Sequence, residues 1–194
     1  MLFNIVEDFY NPNDLGIIIL NFINLNFKES FQSHQTFYGS ERINAYPCYE
    51  SDKMKYQDNN LNPYNIFKKT FENKSNLKIL ELITFFRKTK LSELKESPSW
   101  NQHKPHKDSN LYDIAGVIYF NGSSLKDGTN FYLDKNHYEP TAIVGPRFNR
   151  CVFYNPQLPH CPSMCQQVEE RWTQPFFLIT KEETYKRYKE SYGT

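Results

Sequence analysis

Asp113-Ile114-Ala115-Gly116-Val117-Ile118-Tyr119-Phe120 opens a series of short apolar runs that continues through Thr129 to Leu133, Ala142 to Val144, Cys151 to Tyr154 and Pro175 to Ile179. Prolines and turn residues separate these runs, and no helical period develops between them. Several short strands at such spacing predict an all-β sandwich or jelly roll.

Upstream, Ile79-Leu80-Glu81-Leu82-Ile83-Thr84-Phe85-Phe86 is rich in β-branched and aromatic residues and ends at the basic pair Arg87-Lys88, read as a turn. A short apolar run is ambiguous on period alone, and its composition favours strand. The chain opens on a short strand, Phe3 to Phe9. Asn11-Pro12-Asn13-Asp14 then supplies helix-start chemistry ahead of Leu15, Ile18, Ile19, Phe22 and Ile23, spaced by three and four. Lys28 to Asn60 is polar and aromatic without sustained period and reads as long loops. A second helix is expected over Pro63 to Asn73, with Ile66, Phe67 and Phe71 on one side. Thr180-Lys181-Glu182-Glu183 has the form of a capping box and starts a solvated final helix with Glu182/Lys186 and Glu183/Arg187 pairs.

Composition narrows the function classes. With 194 residues and 39% hydrophobic content, the chain can bury one sizeable core, and we expect one domain. Lys and Arg total 23 against 22 Asp and Glu, so the charge balance offers no reason to expect nucleic acid as a partner. The apolar stretch Leu15 to Phe27 is broken by Asn21, Asn24 and Asn26, which suits neither a membrane span nor a secretory signal. Cys48, Cys151, Cys161 and Cys165 are expected as reduced thiols in a cytoplasmic protein.

Chemistry is concentrated in His106-Lys107-Asp108, His160 and Arg171-Trp172-Thr173. Residues i and i+2 of a strand face the same way, so His106 and Asp108 can offer a ring nitrogen and a carboxylate oxygen to one ion while Lys107 points away. A distal histidine completes the two-histidine, one-carboxylate set that binds iron(II) on one face and leaves the other positions open. His160 follows the turn Asn155-Pro156-Gln157-Leu158-Pro159, at the start of the next strand. Arg171 and Thr173 would share an interior face and offer a guanidinium fork and a hydroxyl to a carboxylate. His103 falls on the opposite parity from His106. His34 and His137 lie among polar residues and read as surface. Cys161 and Cys165 lack a second pair for a closed zinc site. Arg150 could compete with Arg171 for that carboxylate, and Arg147 reads as exposed.

At these residues the chain resembles the iron(II)/2-oxoglutarate-dependent oxygenases, and more narrowly a prolyl-hydroxylase-like branch of them. That branch reads Pro-His-x-Asp, a Tyr-Leu-Asn-like strand, Gly-Gly-Thr-x-Phe-Tyr, Asn-Arg-x-Val, a distal histidine and Arg-Leu-Thr-Gln. The counterparts here are Pro105-His106-Lys107-Asp108, Ile118-Tyr119-Phe120-Asn121, Asp127-Gly128-Thr129-Asn130-Phe131-Tyr132, Asn149-Arg150-Cys151-Val152, His160 and Arg171-Trp172-Thr173-Gln174. Asp127 departs from the first glycine of its pair, and Trp172 stands where a smaller apolar residue is usual. The motifs cover roughly residues 76 to 180.

The resemblance implies a mainly β fold with flanking helices, a double-stranded β-helix of the jelly-roll or cupin-like kind. It divides the chain into a mixed helical and loop part over 1–75, the β-helix core over 76–180 and a C-terminal helix over 181–194. It implies iron(II) on His106, Asp108 and His160, and 2-oxoglutarate with its far carboxylate on Arg171 and Thr173, aided by Tyr119. Dioxygen is the further co-substrate, and succinate and CO2 are the products beside a hydroxylated small-molecule, amino-acid or peptidyl substrate. Tyr38, Tyr46 and Tyr49, in the loops expected over the mouth, are substrate-side candidates. The alternatives are a cupin-like metalloenzyme using the same three ligands without 2-oxoglutarate, and a non-catalytic jelly-roll binding module.

Overall fold

A strand buried on both faces reads as an unbroken apolar run. Ile114–Tyr119 is such a strand in the computed structural model, which describes residues 3–35, 42–90, 92–93, 105–122, 124, 127–133, 139–163 and 169–192, without the side chains of 31–35 and 42–47. The strands are β1 (Phe3–Val6), β2 (Lys28–Gln35), β3 (Arg42–Glu50), β4 (Glu81–Thr84), β5 (Arg87–Lys90), β6 (Ile114–Tyr119), β7 (Thr129–Phe131), β8 (Ala142–Val144), β9 (Arg150–Tyr154), β10 (His160–Pro162) and β11 (Glu170–Ile179). The helices are α1 (Pro12–Asn24), α2 (Pro63–Ser75) and α3 (Glu182–Tyr192).

The major sheet runs β1-β9-β6-β11-β5-β3-β2, with β4 also paired to β11, and the minor sheet runs β10-β7-β8. Alternation along β6 divides the core. Ala115, Val117 and Tyr119 enter the space between the sheets with Phe131, Val144, Val152 and Tyr154. Ile118, with Cys151, Phe176 and Leu178, faces the helices instead. There α1 buries Ile18 and Phe22, and α2 buries Ile66, Phe67 and Phe71, the three residues expected to share its inner side. Prolines open both helices, and Asn11 and Asn62 cap them by accepting from the backbone N–H groups of Asp14 and Tyr64. Gly116 is required where Phe176 crosses β6, since a Cβ there would lie 2.3 Å from the Phe176 ring and 2.6 Å from the Val152 carbonyl oxygen.

Three local expectations are corrected. Lys28 to Asn60 is not all loop, because β2 and β3 form an antiparallel hairpin whose Tyr49 and Glu50 pair with Lys88 and Arg87 of β5. The sequence of the hairpin carries no sustained alternation of apolar residues, so it offered no local strand signal. The strand expected over Ile79 to Phe86 is present but shorter, as β4, and Arg87-Lys88 opens a further strand, β5, rather than a turn. The cause is Pro175. Its carbonyl accepts from Thr84 Oγ1 (2.9 Å) at this edge of β11, where it has no N–H to return, so the ladder breaks between the β4 and β5 segments. Lastly, Thr180 turns its chemistry toward Asp113, which accepts the Thr180 and Lys181 backbone N–H groups (2.8 and 2.9 Å) and the Thr184 hydroxyl (2.8 Å). A carboxylate just before β6 therefore caps α3 and ties it to the sheet.

Asn149 knits the N-terminal segment to the core. It holds a left-handed conformation (φ 62°), which asparagine tolerates better than most residues. Its side chain accepts from the Tyr10 N–H (2.9 Å) and donates to the Tyr10 carbonyl (2.8 Å), while its backbone N–H bonds the Tyr119 carbonyl (2.8 Å). The Tyr10 hydroxyl then donates to Gln174 (2.8 Å) in β11. All of these groups are buried, so losing the amide strands its partners in a dry setting. Asn149→Ala is expected to cost about 2–4 kcal/mol in urea unfolding with an unchanged m value. Asn149→Gly should recover about 1 kcal/mol of that by accepting the positive φ. A loss below about 0.5 kcal/mol for the alanine variant would remove this network from the stability of the fold.

Candidate metal centre

His106 reaches the site through one antiparallel bridge. Its N–H donates to the His160 carbonyl (2.9 Å), and the His160 N–H donates back (3.0 Å), so the two imidazoles are cross-strand neighbours with ring centroids 4.5 Å apart. Two residues on, the Asp108 N–H donates to the Pro156 carbonyl (2.9 Å), anchoring the segment to the turn that precedes His160. Lys107 between them is exposed. The Asp108 carboxylate lies 3.4 Å from His160 Nε2 and 3.9 Å from His106 Nε2.

The donor set fits a divalent metal. One ligand atom from each of His106, Asp108 and His160 lies within 4.8 Å of the others, the group of this kind found among the described residues. Atoms bound at about 2.1 Å on adjacent corners of an octahedron are about 3 Å apart, close to the separations from Asp108. The Leu158 carbonyl lies 2.9 Å from His160 Nδ1, which places a proton on that nitrogen and turns Nε2 toward the carboxylate. Burial pushes the Asp108 carboxyl above the usual range, with the charges of His160 and Arg87 pulling back. A carboxylate kept in so dry a place is stabilised by a cation beside it.

Across the cavity, β11 presents Arg171, Thr173, Pro175 and Phe177, alternate residues on one face that all line the same space as the triad. Arg171 is 8% exposed, makes no ion pair among the described residues, and its Nε has no hydrogen-bond partner. Its guanidinium stands 5.3 Å from the Tyr119 ring centroid. The Tyr119 hydroxyl is 2.6 Å from Thr129 Oγ1. Burial raises that phenol's pKa, and Arg171 and Thr129 oppose the rise. A buried guanidinium without a carboxylate is costly unless a ligand supplies the anion. Trp172, between the two inward residues, points the other way and packs on Phe22 of α1 (5.0 Å), so its bulk does not enter the cavity.

Of the remaining sequence candidates, Tyr49 lies on the face of β3 away from this space. Its hydroxyl donates to Glu93 (2.8 Å) and the Lys90 ammonium sits over its ring (4.7 Å). Tyr38, His103, His137 and Cys165 lie outside the described residues, as do the side chains of Tyr46 and His34. Arg150 of β9 holds Glu7, the residue after β1 (2.8 Å), and the Gly145 carbonyl (2.6 Å), and Arg147 is exposed. Cys161 is buried with its sulfur 3.3 Å from the Tyr132 hydroxyl. Sequence reasoning did not single out Arg87, Thr89 and Thr129 as site residues, yet all three line the cavity. The polar alternation of Arg87 and Thr89 was the available signal, hidden by reading the pair Arg87-Lys88 as a turn.

No family model matches this sequence, and neither does any curated protein. Solved structures do match. A prolyl hydroxylase in complex with a hypoxia inducible factor oxygen degradation domain peptide fragment, from Trichoplax adhaerens, superposes with a TM-score of 0.56 at 11% identity, over 94% of this chain and 86% of that one. An oxidoreductase of the 2OG-Fe(II) oxygenase family from Burkholderia pseudomallei gives 0.57 at 11% identity, over 92% and 85%. A Pseudomonas putida prolyl-4-hydroxylase gives 0.56 at 11% identity, over 93% of both chains. The chain therefore has the double-stranded β-helix fold of the 2OG-Fe(II) oxygenases, prolyl hydroxylases among them. No helix among the described residues is long and apolar enough to cross a membrane.

Iron(II) or cobalt(II) held anaerobically at a hundred times its dissociation constant should add about 2.7 kcal/mol of stability, a rise in Tm of about 5–10 °C. His160→Ala and Asp108→Ala should abolish that rise. Either variant binding the metal with wild-type affinity would refute the ligand assignment.

Proposed function

We propose that this chain is an iron(II)- and 2-oxoglutarate-dependent dioxygenase that hydroxylates an amino-acid, peptidyl or small-molecule substrate, with His106, Asp108 and His160 as the metal ligands. The observation that carries the reading is Arg171, a buried guanidinium with no carboxylate partner among the described residues, lining the cavity that holds a two-histidine, one-carboxylate cluster. Metal clusters of this type occur on jelly rolls with many chemistries. A carboxylate-binding arginine across from the cluster has no use unless an acidic co-substrate enters.

Iron(II) in this site supplies the redox chemistry by which 2-oxoglutarate, dioxygen and a C–H bond become succinate, CO2 and an alcohol. The protein's share is binding and orientation. Arg171 offers a planar fork to the far carboxylate of 2-oxoglutarate, and the Thr173 hydroxyl, two residues along the same face, donates beside it. Tyr119, whose hydroxyl is bonded to Thr129, presents its ring to the guanidinium. Val117, Pro175 and Phe177 line the same cavity with apolar surface and keep water from the reacting end.

The cupin-like alternative leaves Arg171 unexplained, and the non-catalytic alternative leaves the buried triad unexplained. Anaerobic addition of 2-oxoglutarate to the iron(II) protein should produce a metal-to-ligand charge-transfer band, and admission of oxygen should yield succinate. Arg171→Ala should weaken 2-oxoglutarate binding by roughly 30-fold or more, since it removes a buried charge partner worth about 2–5 kcal/mol. Absence of both band and succinate in the wild type would sink the proposal.

A further inference from the structure

Arg87 is the charged residue of the cavity wall to which the chemistry above assigns no task. In the β5/β11 ladder Arg87 lies directly opposite Thr173, and Thr89 directly opposite Arg171. Directly opposed residues of an antiparallel pair project to the same face. All four line the cavity. The wall thus carries two guanidinium groups on diagonal corners of a four-residue block, where one acidic co-substrate needs only one.

The two arginines are built differently. Arg171 is deep and, among the described residues, without a carboxylate. Arg87 is gripped along one edge by Glu50, which accepts from Nε (2.8 Å) and lies 2.6 Å from Nη2. Glu50 is itself held by Ser30 Oγ (3.2 Å) and sits opposite Arg87 in the β3/β5 pairing. The Phe85 ring lies 5.3 Å from the guanidinium carbon. An arginine so fixed has lost its side-chain freedom in folding and does not lose it again on binding. A pair that served only to fasten β3 to β5 could stand anywhere along the rim. This one lines the same cavity as His106 and Asp108, with Val117, Pro175 and Phe177 supplying an apolar surface beside it.

We propose that Arg87 is a second anion subsite, which anchors a carboxylate of the primary substrate, so that the substrate is a carboxylic acid with an apolar body lying toward Val117 and Phe177. The inference rests on the functional reading above for the identity of the metal and of the co-substrate, and on Arg87 alone for the substrate's charge. Glu50 is a positioning residue in this scheme.

The test is an NMR titration of the whole protein with sodium acetate, following the arginine Nε–H resonances, with the Arg87 signal identified by its loss in Arg87→Gln. The resonance of Arg147, whose side chain is 64% exposed, serves as the internal reference for adventitious ion pairing. The Arg87 signal should shift saturably, with an acetate dissociation constant at least tenfold below that read at Arg147. In zinc(II)-loaded protein saturated with 2-oxoglutarate the acetate response at Arg87 should persist, and Arg87→Gln should leave 2-oxoglutarate affinity within twofold of wild type. An unmoved Arg87 signal, or affinity equal to that at Arg147, overturns the proposal. So does a loss of 2-oxoglutarate affinity in Arg87→Gln as large as that of Arg171→Ala, which would make Arg87 part of the co-substrate site. Failure of 2-oxoglutarate to bind the wild type would refute the functional reading, and the acetate titration of the metal-free protein would still decide the role of Arg87.

Discussion

The backbone hydrogen bonds that pair β11 with β6 along one edge, and with β5 and then β4 along the other, set the position of nearly everything the site uses. Because β11 is registered on both sides, its alternation cannot slip without moving Arg171 and Thr173 to the helix side and bringing Trp172 and Gln174 into the cavity. The same pairing places Arg87 and Thr89 beside them. It also explains why a proline is tolerated in the middle of a central strand. Pro175 turns its missing donor toward the point where the neighbouring edge changes from β5 to β4, so no ladder partner is left waiting there.

On the opposite wall, the two-way bond between His106 and His160 does comparable work with much less material. One bridge fixes the distance between two imidazoles that are far apart in the chain, and the Asp108 N–H on the Pro156 carbonyl brings the carboxylate to the same point. Each wall therefore holds its charged groups by backbone geometry, and the side chains are left to meet whatever enters. The cost is electrostatic. A buried carboxylate on one side and a buried guanidinium on the other each lose hydration that a ligand of opposite charge would replace.

Much of this was legible in the residues. Ala142 to Val144 and Asp113 to Phe120 read as strands because β-branched runs between turn residues have few other options, and α2 was visible because Ile66, Phe67 and Phe71 repeat at helical spacing. Trp172, a departure at the level of motif, is harmless because its strand parity sends it toward Phe22. Of the pair Asp127-Gly128, it is Gly128 that the fold requires, because a Cβ there would strike the Val144 carbonyl. The hairpin of β2 and β3 was not legible, since its polar residues carry no period and its partner, β5, was itself mistaken for a turn.

By itself the sequence singled out the three residues that gather as the candidate metal cluster, the arginine and threonine at i and i+2 across from it, and most of the strands that carry them. Those are local properties, set by residue chemistry and by the two-residue alternation of an extended chain. Only the tertiary structure decided that Asp113 caps the last helix, that Asn149 binds Tyr10, and that Glu50 holds Arg87 at the cavity wall. Each of these is a contact between segments distant in the chain, and distant contacts are chosen by the pairing of whole strands, which no short stretch of residues encodes.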